Sequence, residues 1–271
     1  MKNDNKTADA FATSWNNLPS GSVYTFDQFE DWMSPLTAKD VLNKRVLELG
    51  CGNGSLLVHM AKWKPSYLEG VDLGDSVISA KKNTSSINFC NIVKDNLASY
   101  RSNSFDLVYC IGVIHHLKNP KEGFESVIRN TNRGGKFHIW VYAREGNGLI
   151  VYLVDPIRKF VSKLPWWFTK YLVATPLTVP FYLYSNFVNY FRDIVLFNRL
   201  PLFDYSLWVS KRDFSFFRHV AFDQLVTPQT VYIRKETIED WVSSSPRIIK
   251  DSVYIQMRNG NSWKFGGEII I

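Results

Sequence analysis

The sequence predicts an open α/β sheet of mostly parallel strands with helices on both faces. Three observations carry this. The apolar run 46–49 stops at glycines in alternate positions, Gly50, Gly52 and Gly54. A second apolar run closes on an acid, Asp72, about twenty residues later, where a doubly wound nucleoside-binding sheet places the group that takes a ribose diol. Strand-like and helical stretches then keep alternating as far as Tyr142.

The elements follow in order. Residues 1–40 read as a helical cap, because Phe11, Trp15, Phe26, Phe29 and Trp32 fall at helical spacing between polar residues. Trp15 and Tyr24 are either lid residues or core. Residues 41–148 form the ligand-binding core. Its first strand, 45–49, turns sharply into a helix, and glycine there strips the backbone of side chains so that a ligand can lie against it. Strands near 68–72, 89–93 and 105–110 come next, and Asn132-Arg133-Gly134-Gly135 turns the chain into a fifth at 136–142. An aromatic, leucine-rich insertion occupies 149–217, broken by Pro156, Pro165, Pro176, Pro180 and Pro201. The core resumes over 218–271 with a helix at 235–244, a strand near 248–257, a hairpin over Asn259-Gly260 and a last strand near 263–271.

At 271 residues the chain suffices for one core with an insertion, and 45% hydrophobic with 15% aromatic residues excludes a disordered chain. Cys51, Cys90 and Cys110 neither pair off nor show metal-ligand spacing, which fits a reducing, cytoplasmic setting; MKNDNKTADA lacks the apolar run of a signal peptide. The net charge of +7 is uneven. Residues 1–140 hold 16 Lys and Arg against 14 Asp and Glu, whereas 141–271 hold 16 against 11. The excess therefore lies away from the glycine turn, either as a binding feature for an anionic partner or as plain solubility.

The glycine spacing is not the dinucleotide fingerprint, since Ser55 follows Gly54 and the third glycine is out of place. Glu48-x-Gly50-x-Gly52-x-Gly54 instead resembles the E/D-x-G-x-G-x-G motif of class I S-adenosylmethionine-dependent methyltransferases. The resemblance spans roughly 40–142, with a weaker echo from His219 onward. It implies the seven-stranded Rossmann-like methyltransferase sheet and S-adenosylmethionine as cofactor. By the same resemblance, Glu48, Gly50, Cys51, Gly52, Asn53 and Gly54 cradle the cofactor, and Asp72 with Leu73 holds the ribose. Asp95 takes the adenine amino group with Asn96 and Leu97 beside the ring, and Cys110-Ile111-Gly112 edges the methionine end.

Methyl transfer from a sulfonium needs alignment and removal of a proton from the acceptor, for which histidine is the natural base near neutral pH. His115 and His116 follow the fourth strand at the carboxyl end, where open α/β sheets carry their chemistry, and they are read either as base or as orienting residues. His219, Asp223 and Tyr232 are further acceptor-side candidates. No metal-binding cluster is legible.

Cys110-Ile111-Gly112-Val113 is neither an Asn/Asp-Pro-Pro-aromatic signature nor a Pro-Cys nucleophile, which leaves transfer to oxygen or nitrogen. The acceptor is read as a small molecule, glycan or lipid-linked compound. A tRNA uridine side chain is the alternative, although long apolar runs suit a phosphate-tracking surface poorly. A non-catalytic cofactor-binding partner subunit is the third reading. Tyr171 to Phe191 carry no charge and are flanked by Lys163, Lys170, Arg192 and Arg199. That pattern fits either peripheral membrane contact or a helical roof over the active site.

Overall fold

A computed structural model describes residues 24–102 and 105–270. Trp15 and the first half of the expected cap lie outside the described residues. Seven strands, β1 (Arg45–Leu49), β2 (Tyr67–Asp72), β3 (Cys90–Lys94), β4 (Phe105–Ile111), β5 (Thr131–Tyr142), β6 (Tyr254–Arg258) and β7 (Ser262–Glu268), form one sheet in the order β3-β2-β1-β4-β5-β7-β6. β1 to β5 pair in parallel. Only β7 opposes its neighbours; β6, reversed a second time by the hairpin, points the same way as the parallel set. Strand order reverses between β1 and β4, and this opens a crevice at their carboxyl ends.

The helices used below are α1 (Phe26–Met33), α2 (Ser55–Met60), α3 (Ser76–Asn83), α4 (Pro120–Asn130), α5 (Asp155–Val161), α6 (Thr175–Tyr190), α7 (Phe203–Val209), α8 (Phe214–Val226) and α9 (Lys235–Ser244). β4 is apolar along almost its whole length because both its faces are covered. On one face Phe29 of α1, Leu57 and Met60 of α2 and Ala80 of α3 pack on Val46, Leu68 and Leu107. On the other, Phe124 and Val127 of α4 and Trp241 of α9 pack on Val108, Phe137 and Phe265. These two apolar layers hold the sheet rigid beneath the crevice.

The insertion is helical, as expected, with two differences. α6 runs through Pro180 unbroken; the ring removes one backbone donor within a helix that packs on α7 and α8. α8 crosses the expected 217/218 boundary and packs against the stretch around Ala174 through Phe222, Leu225 and Val226, so the helical insertion continues to Val226.

Candidate active site

A cavity of about 540 Å³ lies at the carboxyl ends of β1, β2, β4 and β5, beneath α1 and the insertion. Its floor is the turn after β1. Gly50 and Gly52 take φ of +83° and +52°, a region L side chains rarely adopt. A Cβ on Gly50 would also come within 2.5 Å of Val113, so the turn sits tightly on the loop after β4. The Gly50 and Cys51 amides both reach the Val71 carbonyl, pinning the turn to β2.

Asp72 ends β2 at the cavity wall. Its Oδ2 accepts the Gly52 amide at 2.9 Å, and its Oδ1 accepts the Gly74 amide and the Ser76 hydroxyl, each at 3.0 Å. A carboxylate has about four acceptor positions, so about one remains for a ligand hydroxyl. Glu48 is buried and accepts the Tyr109 hydroxyl at 2.9 Å; burial, reinforced by the nearby Asp72 charge, pushes its pKa up to about 8. Cys51, Asn53, Leu73, Asn96, Leu97 and Ile111 also line the cavity.

Asp95 is exposed at the end of β3 and does not reach the wall; its Oδ1 accepts the Asn96 amide at 2.6 Å. Gly54 and Cys110 likewise stand behind the lining, with Cys110 fully buried in the sheet. The residues on the wall fit S-adenosylmethionine. Asp72 offers a carboxylate acceptor to a ligand hydroxyl, Glu48 a buried carboxyl, the glycine turn bare backbone and Leu97 apolar surface for a ring.

The histidine pair divides. His116 lines the cavity, and its Nδ1 lies 3.1 Å from both the Gln229 carbonyl and the Thr230 hydroxyl. The carbonyl bond places the proton on Nδ1 and leaves the lone pair on Nε2. His115 is fully buried behind it, its ring 4.3 Å from that of Tyr142, and is not part of the wall. Burial lowers the pKa of His116 to about 3 and that of His115 well below its ordinary value. Both are neutral and weakly basic at pH 7. His219 and Asp223, one turn apart on α8, face the same cavity with Nε2 and Oδ2 3.3 Å apart, and Tyr232 lines it too.

Several wall residues carried no sequence signal beyond their type. Trp140 and Tyr142 end β5, a position that a doubly wound sheet makes functional. Arg258 on β6 binds Asp31 of α1 through Nε at 2.7 Å and lies over the Trp208 ring, joining cap, sheet and insertion. His138, fully buried, bonds the Trp32 carbonyl through Nε2 at 2.8 Å and the Tyr254 hydroxyl through Nδ1 at 2.6 Å, and so sets α1 over the cavity. Tyr24 and Trp32 meet edge to face and both line it. No cluster of metal-binding side chains occurs among the described residues.

A doubly wound sheet whose glycine turn and Asp72 face a cavity roofed by the insertion is the architecture of a nucleoside-cofactor-binding fold. The chain belongs to the methyltransferase-domain family, whose model matches residues 24–171, within the class I S-adenosylmethionine-dependent methyltransferases. It is similar to the ubiquinone biosynthesis O-methyltransferase of Neisseria meningitidis, 31% identical over 30% of this chain and 37% of that protein. It is also similar to the tRNA U34 carboxymethyltransferase of Sulfurovum sp., 27% identical over 40% of this chain and 38% of that protein. The chain thus spans well under half the length of these two curated relatives. Among solved structures, the magnesium protoporphyrin IX methyltransferase of Synechocystis PCC 6803 with bound S-adenosylhomocysteine shares the fold at a TM-score of 0.50 and 11% identity, over 91% of this chain and 82% of that one.

Proposed function

We propose that the protein transfers a methyl group from S-adenosylmethionine to an oxygen or nitrogen of a bulky apolar acceptor, lipid-linked in the reading we favour over a free small molecule or glycan. The observation that carries this is the change of lining along one cavity. Acids and bare backbone surround the cofactor end, whereas Ile157, Phe181, Val209 and Phe217 of the insertion wall the other end with apolar surface. An acceptor with a large apolar body loses little by desolvation there, and a charged polymer would lose much.

Bound at the glycine turn, S-adenosylmethionine would supply an electrophilic methyl group. The chain's residues align the acceptor, exclude water and accept a proton. We assign proton acceptance to His219, whose imidazolium the Asp223 carboxylate would balance, and orientation to His116, whose Nε2 lone pair is held by the bonds at Nδ1. His115 then supports the ring of His116, 4.2 Å away.

The test is labelled methyl transfer into lipid, polysaccharide and RNA fractions of a cell extract. Label in the lipid fraction supports the reading. Label confined to RNA would replace it by tRNA modification, the alternative favoured by the Sulfurovum relative's name. Cofactor binding with no label in any fraction would point to a non-catalytic partner subunit.

A further inference from the structure

α6 exposes large apolar side chains. Its inward face buries Val188 together with Thr178 and Ser185, and Phe181 packs on Phe217, while Val179, Leu183, Phe187 and Tyr190, spaced 4, 4 and 3 apart, stand exposed along the opposite face. A helix facing water places polar residues there. The pattern extends beyond α6: of the 22 exposed large hydrophobic residues among those described, 16 fall between Leu149 and Leu196. Tyr152 is 71% exposed and Phe160 76%. Apolar surface gathered on one segment in this way marks an interaction site.

The surroundings of that surface identify the occupant. Residues 149–226 hold nine Lys and Arg against five Asp. Lys159, Lys163, Arg192 and Arg199 are exposed on the same segments as the apolar residues, and tyrosine and tryptophan are interleaved with them. Apolar body, aromatic belt and basic fringe together suit the headgroup zone of an anionic bilayer. No described helix is long and apolar enough to cross a membrane, so the contact lies in the plane of the surface.

The cavity opens onto this surface. Leu149, Leu153 and Leu177 line the cavity and are also 47%, 61% and 42% exposed, so the wall of the acceptor end continues outward as the apolar patch. We infer that the insertion seats on an acidic membrane surface with the mouth of the cavity facing it, and that the acceptor enters from the bilayer without crossing water. This rests on the proposed apolar acceptor and adds where the acceptor is taken from.

The experiment is flotation of the full chain with vesicles of phosphatidylcholine alone and with added phosphatidylglycerol. It is repeated at raised salt and for the variant Leu183→Ser/Phe187→Ser/Tyr190→Ser, whose three positions lie outside the cavity wall. The parent is expected to float with acidic vesicles, at least tenfold less with neutral ones, and less at high salt. The variant should lose at least tenfold in vesicle binding while keeping its affinity for S-adenosylhomocysteine, which shows that it is folded. Equal binding of parent and variant overturns the proposal. So does a parent that floats with neither vesicle, or a dimer that the same substitutions dissociate, since the face would then belong to a second copy. Methyl transfer to a detergent-dispersed lipid extract, run in parallel, separates the two ideas: transfer without flotation rejects docking alone, and flotation without transfer rejects the acceptor alone.

Discussion

Removing the Asp72 carboxylate should damage two things that different measurements can separate. The group accepts three hydrogen bonds from the protein, one tying Gly52 to β2 and two ordering the start of α3. Hydrogen bonds to a charged partner contribute roughly 1.5–3 kcal/mol each, and water recovers part of that when the acceptor goes. Asp72→Ala should therefore lower stability by about 2–4 kcal/mol, a large share of the 5–15 kcal/mol typical of a domain. Its remaining acceptor position faces the cavity, and losing one ligand hydroxyl there should raise the Kd for S-adenosylhomocysteine by roughly 10- to 150-fold. Asp72→Asn keeps two of the three protein bonds and so weights the second effect. The amide oxygen still serves Gly74 and Ser76, but its NH2 meets the Gly52 amide donor to donor. The Asn variant should stay within about 2 kcal/mol of the parent in urea unfolding yet lose at least tenfold in calorimetric affinity. Parent affinity in Asp72→Asn would refute the ligand contact, and parent stability in Asp72→Ala would refute the tethering of the turn.

Glu48→Gln should alter how stability depends on pH. A carboxyl whose pKa is raised from 4.5 to about 8 by burial contributes stability that is fully present below pH 4.5 and lost as pH rises to about 8, a span of roughly 5 kcal/mol. Urea unfolding at pH 5, 7 and 9 should show the variant gaining on the parent as pH rises, and a constant difference would contradict the buried, protonated state. His219→Asn should cut single-turnover methyl transfer by 10²- to 10⁴-fold without weakening cofactor binding. His116→Ala should cost less, and a parent rate in His219→Asn would move the proton acceptor elsewhere. Gly50→Ala adds left-handed strain of about 1–2 kcal/mol and the clash with Val113. Adding Val113→Ala should recover part of the lost melting temperature, and strict additivity would deny the contact.

The sequence by itself determined the sheet and the glycine turn, because both are written in local chemistry. Alternate glycines after an apolar run, an acid ending the next strand and the rhythm of strand and helix need only neighbours in the chain to be read. The tertiary structure decided which members of that motif touch the cavity. Asp95 and Asn96 are adjacent, yet only Asn96 reaches the wall, because successive residues leaving a strand point different ways. The same held for His115 and His116, which packing against Tyr142 and the Gln229 carbonyl separated into a buried support and a wall residue. Asp31 and Arg258 lie 227 residues apart, and no spacing rule joins a cap helix to an edge strand. Tertiary packing also set the meaning of the insertion: its apolar composition was plain in the chain, but only the packing of α6, which buries Val188 and leaves Val179, Leu183, Phe187 and Tyr190 exposed, distinguished a surface from a core.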